Sequence, residues 1–125
     1  MRLLLDTHVV LWWMDEPGKL SEAARDAIAE IENEVFVSSV AAWEIAIKRQ
    51  LGKLSAPHDL RRRVSDSGFK ELPISLEHGL VTEQLPLHHR DPFDRMLIAQ
   101  ARVESATIVT RDILLKPYGV PLIDA

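Results

Sequence analysis

Four acidic residues occupy positions from which they could act together on a bound cation. Asp6 and Asp112 each follow a short apolar run, Glu44 lies within a mid-chain helical segment, and Asp94 opens a later helix. If these carboxylates converge to about 5 Å, each pair repels by roughly 3 kcal/mol at an effective dielectric constant near 20. Such a cluster must be partly protonated or neutralised by cations. Oxygen ligands suit a hard ion such as Mg²⁺ or Mn²⁺, which can activate water and stabilise a phosphoryl oxyanion.

Each of these acids also has an ordinary structural explanation. Glu44 could simply pair with Lys48 one helical turn later, Asp94 could favour the positive end of a helix, and Asp112 could cap a short turn. Asp91, which precedes a proline, is fully explained as a helix N-cap. Glu44, however, falls inside the apolar stripe of its helix, which favours burial of its stem beneath a site at the edge of the sheet.

The elements that must position these acids can be read from the apolar runs. The opening run Leu3–Leu5 has no polar alternation, as in a strand that is buried on both faces of a parallel sheet. Asp6 then lies at the carboxyl end of that strand, the edge at which ligand crevices form in open α/β sheets. Further strands are predicted at Val35–Val37, Phe69–Ile74, Thr107–Thr110 and Val120–Ile123, the last two runs being a buried strand and a short edge strand.

Helical stretches alternate with these strands, so we predict an α/β fold, a three-layer α/β/α sandwich with a mainly parallel central sheet. The first predicted helix covers His8–Met14 after a Thr7 cap, and the second begins at Leu20-Ser21 with Ala24, Ile28 and Ile31 buried. The third is capped by Ser38 or Ser39 and runs to Gln50, and the fourth covers Pro57–Ser67. The fifth follows Ser75, with Leu76 and Leu80 facing inward, and the sixth follows Asp91. Trp12 and Trp13 are predicted to be core or partner surface rather than a stacking platform.

Composition limits the class of protein. The chain of 125 residues is predicted to be a single domain, and its 46% hydrophobic and 27% charged residues exclude both disorder and a membrane span. Met1-Arg2 leads directly into the first strand, so we expect no signal peptide and a cytoplasmic location, with which the lack of cysteine agrees. The net charge of −4 argues against binding nucleic acid mainly by phosphate neutralisation. The histidines, including His88-His89, are predicted to be loop residues.

Four stretches together resemble the PIN domain family and, within it, the VapC-type toxin ribonucleases of toxin–antitoxin pairs. They are Leu3-Leu4-Leu5-Asp6-Thr7, Ser39-Val40-Ala41-Ala42-Trp43-Glu44, His89-Arg90-Asp91-Pro92-Phe93-Asp94-Arg95 and Thr110-Arg111-Asp112. The resemblance covers essentially the whole chain, residues 1–125, as one PIN domain. It implies a metal-dependent endoribonuclease that forms a homodimer and is inhibited by a cognate VapB-like antitoxin.

The resemblance also implies a role for particular residues. Asp6 and Asp94 would be the principal ligands of Mg²⁺, or of Mn²⁺ as a substitute, with Glu44 and Asp112 completing the catalytic acidic site. Thr7 and Thr110 would support these ligands by hydrogen bonds. The substrate would be RNA, cut to leave 5′-phosphate and 3′-hydroxyl ends. Arg95 departs from the small or apolar residue that often follows this acid, and it is predicted to contact phosphate or antitoxin without being catalytic.

Two other functions remain to be weighed. A phosphatase of the haloacid-dehalogenase type also has an aspartate after its first strand, but it needs a second one two residues later, where this chain has His8. A non-catalytic PIN-like module that binds RNA or protein is the remaining alternative. For a ribonuclease or an RNA-binding module, charged residues at the rim of the site would help to select the RNA target. The candidates are Arg61, Arg62, Arg63, Arg90, Arg95 and Arg111.

Overall fold

A fully parallel five-stranded sheet runs through the middle of the molecule in the order β3-β2-β1-β4-β5. The computed structural model describes all 125 residues. The strands are β1 (Arg2–Leu5), β2 (Glu34–Ser38), β3 (Lys70–Leu72), β4 (Thr107–Thr110) and β5 (Leu122–Asp124). The helices are α1 (Thr7–Asp15), α2 (Glu22–Ala29), α3 (Ser39–Gln50), α4 (Leu60–Asp66), α5 (Leu76–Val81) and α6 (Pro92–Glu104), with short 3₁₀ helices at Pro17–Lys19, Thr82–Gln84 and Ile113–Tyr118. None of the helices has the length and apolarity that crossing a bilayer demands.

The central strand β1 explains the unbroken apolar run at the start of the chain. Leu3 and Leu5 point into a core that α1, α2 and α4 cover, and Leu4 points into a second core on the opposite face beneath α6. All three leucines are fully buried. Because successive side chains of a strand face opposite sides, a strand covered by helices on both sides must be apolar at every position. The predicted three-layer α/β/α sandwich is confirmed.

The pairing of β1 with β4 decides where Asp6 lies. Leu5 pairs with Val109, and the Asp6 N–H then donates to the Val109 carbonyl at 3.0 Å. The last residues of the two strands therefore end side by side, which brings the segment after Thr110 next to Asp6. The acids that follow the two strands consequently meet at one edge of the sheet.

Most predicted helix starts are confirmed by a side-chain cap. Ser21, Ser38 and Asp91 each accept a hydrogen bond from a backbone N–H in the first turn of α2, α3 and α6. The prediction for α1 is wrong by one residue, because Asp6 occupies the N-cap position and Thr7 is already helical. The Thr7 hydroxyl therefore does not cap α1 and instead donates a hydrogen bond to Glu44.

Two predicted buried faces are wrong. The second helix ends at Ala29, so Ile31 lies beyond it and is 92% exposed. In α5, Leu76 and Leu80 were predicted to face inward, but they are 83% and 60% exposed. His78 is the buried residue of this helix, and its ring accepts from the Ser75 N–H in a capping box. The cap turns the six-residue helix so that its leucines point outward.

Several element ends also differ from the sequence prediction. Helix α4 begins at Leu60 rather than at Pro57, and β5 covers Leu122–Asp124 rather than Val120–Ile123. The weak strand around Pro73 is confirmed as the short edge strand β3. Such shifts affect the edges of the sheet and leave the central strands, which carry the site, where they were expected.

Candidate active site

An open cavity of about 420 Å³ lies at the carboxyl edge of the sheet, where β1 and β4 end. All four predicted acids line it. The full lining is Asp6, His8, Val9, Trp12, Glu44, Lys48, Asp91, Asp94, Arg111 and Asp112. The structure thus brings together acids that are up to 106 positions apart in the chain; their assignment as metal ligands stays a prediction.

Asp6 is fixed by a hydroxyl at the end of the neighbouring strand. The Thr110 Oγ1 donates to Asp6 Oδ2 at 2.6 Å and itself accepts from the Asp112 N–H at 3.0 Å. One buried threonine therefore orients the carboxylate of Asp6 and the backbone that carries Asp112. The Asp6 carboxylate held in this way lines the cavity.

Glu44 is held from two sides. The Thr7 Oγ1 donates to its Oε1 at 2.7 Å, and the Lys48 Nζ donates to its Oε2 at 2.5 Å. Glu44 is only 6% exposed, so this pair combines the helical Glu–Lys contact with the predicted burial beneath the site. The hydrogen bond with Glu44 raises the pKa of Lys48. Thr7 and Thr110 thus each hold one acid by a hydrogen bond.

His89 lies in a loop, as predicted, but it has partners at the site that the sequence did not indicate. Its Nε2 lies 2.9 Å from Asp94 Oδ2 and 3.3 Å from Asp112 Oδ2, while its Nδ1 accepts from the Asp91 N–H at 3.2 Å. Because a backbone N–H can only donate, the ring N–H that faces the carboxylates is on Nε2 and donates to them. The imidazole therefore stabilises two neighbouring acids by hydrogen bonding.

The carboxylates of the cavity repel one another even though His89 donates to two of them. Burial, followed by the negative charges of Asp6 and Asp91, raises the pKa of Asp94 to about 7. Burial also raises the pKa of Asp6, although the hydrogen bond from Thr110 works against this. A bound cation would lower the free-energy cost of ionising these two carboxyl groups.

The donor set fits a divalent cation. Carboxylate oxygens of Asp94 and Asp112 lie within 4.8 Å of one another, and Asp6 and Glu44 line the same cavity. Carboxylate oxygens suit Mg²⁺ and Mn²⁺, and the chain has no thiolate that would select a softer metal. The residues present therefore agree with the predicted metal.

The predicted rim arginines separate into different groups. Arg95 donates to the carbonyls of Pro86, Thr82 and Leu85 and so stabilises the fold, while a contact with phosphate or antitoxin stays a prediction. The guanidinium groups of Arg61, Arg62 and Arg63 form surface ion pairs on α4. Only Arg111 among the six predicted rim arginines lines the cavity.

Sequence reasoning missed three residues that line the cavity. Lys48 was treated only as a partner of Glu44, while His8 and Trp12 were given no role at the site. Their spacing carried a usable signal, because residues 8 and 12 lie one turn apart on the helix that begins directly after Asp6. Side chains on that face of α1 must look onto the same edge of the sheet.

Comparison with known proteins adds the family context. The family model of the PIN domain matches residues 3–119. Among curated proteins, the chain is similar to Ribonuclease VapC22 of Mycobacterium tuberculosis, with 32% identity over 126 aligned residues that cover 95% of this chain and 93% of that protein. The similarity therefore extends over nearly the whole length of both proteins.

Solved structures agree in fold. The chain superposes with a TM-score of 0.74 and 16% identity on the structure of VapBC2 from Rickettsia felis bound to a promoter DNA fragment, covering 99% of this chain and 98% of that chain. It also superposes with a TM-score of 0.61 and 16% identity on VapBC-5 from Mycobacterium tuberculosis, a member of a family of toxin–antitoxin systems, with coverage of 99% and 98%. At these identities the likeness establishes the architecture alone.

Proposed function

This chain belongs to the PIN domain family, and from that premise we propose that it is a metal-dependent endoribonuclease that acts as the toxin of a toxin–antitoxin pair. The observation that carries this proposal is the meeting of Asp6, Glu44, Asp94 and Asp112 around one open cavity in which the pKa of Asp94 is raised to about 7. The name of the relative VapC22, a ribonuclease, supports RNA as the substrate.

In the proposed mechanism Asp6 and Asp94 would hold Mg²⁺, with Asp112 and Glu44 completing the acidic site. The bound ion would lower the pKa of a water molecule and neutralise charge on the phosphoryl oxygens. Thr110 keeps the Asp6 carboxylate turned toward the cavity, and Thr7 does the same for Glu44. The reaction adds water across the P–O3′ bond, which leaves a 5′-phosphate on one fragment and a 3′-hydroxyl on the other.

Lys48 and His89 balance charge in this mechanism. The Lys48 ammonium, paired with Glu44, places one positive charge in the wall of an otherwise acidic cavity. His89 donates to Asp94 and Asp112 and so limits their mutual repulsion when no cation is present. Lys48 adds a positive charge and His89 a hydrogen bond, and we assign neither residue a direct part in bond breaking.

We further propose a cognate VapB-like antitoxin and a homodimer as partners, and a cytoplasmic location, where cellular RNA is found. The exposed leucines of α5, Leu76 and Leu80, support a protein interface, because they stand one turn apart on the same helix face and are both mostly exposed. The toxin–antitoxin context of VapBC-5, whose fold this chain shares, agrees with such a partner.

The test is cleavage of a mixed pool of tRNA and rRNA by the purified protein, freed of any copurified antitoxin, in Mg²⁺, in Mn²⁺ and in EDTA. Asp6→Asn is prepared identically, and Asp26→Asn, an exposed acid on α2, is the matched control. We expect metal-dependent cuts with the original chain and the control and none with Asp6→Asn.

Two outcomes would count against the nuclease. Cleavage that persists in EDTA would overturn the metal dependence, and full activity of Asp6→Asn would overturn the assignment of the site. If folded protein cuts nothing in any lane while RNA still binds, the non-catalytic PIN-like binding module becomes the better description.

A further inference from the structure

One wall of the cavity is not used by the proposed mechanism. It is formed by His8 and Trp12 of α1 and by Arg111, which follows β4. The rings of His8 and Trp12 have centroids 5.7 Å apart, and the Arg111 guanidinium lies over the Trp12 ring at 4.3 Å from its centroid. His8 and Arg111 are exposed and Trp12 is half-buried, so a ligand in the cavity can reach this wall.

The Arg111 guanidinium is fixed in place. Its Nη2 donates to the Ala125 oxygen at 2.8 Å and also to the Lys19 carbonyl, and the Trp12 ring lies against the guanidinium. Both hydrogen bonds use Nη2, so Nε and Nη1 are left as directed donors for an anion.

Charge makes this wall the favourable entry for a phosphate. The chain carries a net charge of −4, and five carboxylates line the cavity. The other cation of the cavity, Lys48, is already paired with Glu44. Arg111 is the exposed cation of the lining, and a polyanion that approaches the acids meets its attraction first.

The aromatic pair beside this cation differs from the other tryptophans of the chain. Trp13 packs against Phe69 at 6.0 Å on the core side of α1, and Trp43 packs against Phe93 outside the cavity. Only Trp12 combines an indole face with an arginine and an acidic site. Arginine planes and aromatic rings are the surfaces on which proteins stack unpaired bases.

We propose that His8, Trp12 and Arg111 form a subsite for one unpaired nucleotide of the RNA strand, with its phosphate on Arg111 and its base stacked against the Trp12–His8 face. This inference rests on the proposed function and requires an unpaired base, because a base inside a duplex cannot turn out onto the wall without unpairing. Trp12 also packs against the core, as the sequence predicts, so the subsite would use the part of its ring that faces the cavity.

The test is a binding cycle in the Asp6→Asn background, which keeps the RNA intact. The probes are a fluorescein-labelled hexauridylate and an abasic hexamer with the same sugar–phosphate backbone, titrated in Mg²⁺ buffer and followed by anisotropy. Stacking of one base on an aromatic residue contributes on the order of 1–3 kcal/mol. We therefore expect Trp12→Leu, which keeps apolar bulk but has no π face, to weaken hexauridylate binding about tenfold and to leave the abasic strand unchanged.

A second variant and a control make the test independent of folding defects. Arg111→Gln keeps an amide that can donate to the two carbonyls but loses the charge, so it should weaken both strands equally and reduce the salt dependence of binding. Trp43→Leu removes an indole that is 56% exposed but lies outside the cavity, and it should change neither strand. Circular dichroism verifies the fold of each variant.

The subsite is overturned if Trp12→Leu weakens both strands by the same factor, if Arg111→Gln binds like the background protein, or if hexauridylate does not bind the background protein at all. Its failure is distinguishable from that of the nuclease. Metal-dependent cleavage by a protein that is indifferent to Trp12 would remove the subsite and leave the nuclease. Base-dependent binding by a protein that cuts nothing would do the reverse.

Discussion

Asp94 makes the stability of the metal-free protein depend on pH. Burial and the charges of Asp6 and Asp91 raise its pKa from 3.8 to about 7, so between these values the folded state binds more protons than the unfolded state. Stability from this group is complete below about pH 4 and is lost as the pH rises through 7. Asp94→Asn, which cannot ionise, should therefore melt about 3–6 °C higher than the original chain at pH 8 in EDTA and should have a flatter profile.

The matched control for this prediction is Asp26→Asn, whose carboxylate is exposed on α2. It should leave the pH profile of the melting temperature unchanged. Equal profiles for Asp94→Asn and the original chain between pH 4 and 8 would show that Asp94 ionises freely, and the electrostatic account of the cavity would then be wrong.

At the residue scale, the acids could be placed from the sequence because each has a local marker. Asp6 and Asp112 follow buried strands, and neighbouring parallel strands end at the same edge. His89 had no such marker. Its contact with Asp94 and Asp112 depends on how the irregular segment before α6 folds back, and no periodicity in the sequence records that path.

Arg95 fixes that segment at the scale of the element. From the first turn of α6 its guanidinium donates to the Pro86 carbonyl at 2.9 Å, the Thr82 carbonyl at 2.9 Å and the Leu85 carbonyl at 3.2 Å. We expect Arg95→Ala to lower the free energy of unfolding by about 2–4 kcal/mol, because three hydrogen bonds to a charged group are lost. Urea unfolding measures the change.

Arg62→Ala is the control for this effect, since Arg62 makes only an exposed pair with Asp66 at 3.7 Å and should cost at most about 0.5 kcal/mol. Amide exchange should also speed up around His89 in Arg95→Ala alone. An unchanged unfolding free energy would mean that the segment is held by other contacts.

Helix α5 shows why a buried face can be mispredicted. Leucines at positions 76 and 80 share one face, so the pattern alone favoured burial. In six residues, however, the capping geometry of Ser75 and His78 fixes the rotation of the helix, and it buries the histidine. The buried faces of long helices such as α3 and α6 are predicted correctly, because apolar residues in several successive turns lie on the same face.

The outward leucines of α5 give a prediction about assembly. We expect the purified chain to form a dimer in solution and the double substitution of Leu76→Asp with Leu80→Asp to shift it toward monomer, because charges would then have to be buried in the contact. Light scattering coupled to gel filtration measures the mass. Glu77→Ala on the same helix serves as the control, and a double variant that remains dimeric would place the interface elsewhere.

For the whole molecule, the sequence predicted the class of fold because three of the five strands are runs of buried residues that no alternating pattern could explain. The order of the strands in the sheet could not be predicted from the sequence. Neighbours β1 and β4 are separated by about a hundred residues, and what pairs them is the closing of two cores on opposite faces of one sheet. The active cavity exists only when that long-range pairing is complete.

This dependence predicts that metal binding stabilises the molecule as a unit. Asp6 and Asp112 stand at opposite ends of the chain, so the unfolded state holds no preformed site, and a cation that binds only the folded state adds about 2.7 kcal/mol at a hundredfold excess over its dissociation constant. Melting temperature should rise with the logarithm of the Mg²⁺ or Mn²⁺ concentration, and amide exchange should slow in β1 and β4 together. Asp6→Asn should abolish both responses while Asp26→Asn keeps them. If neither metal changes the melting temperature of the original chain, the metal site is contradicted. A module that binds RNA without cutting it would then be favoured.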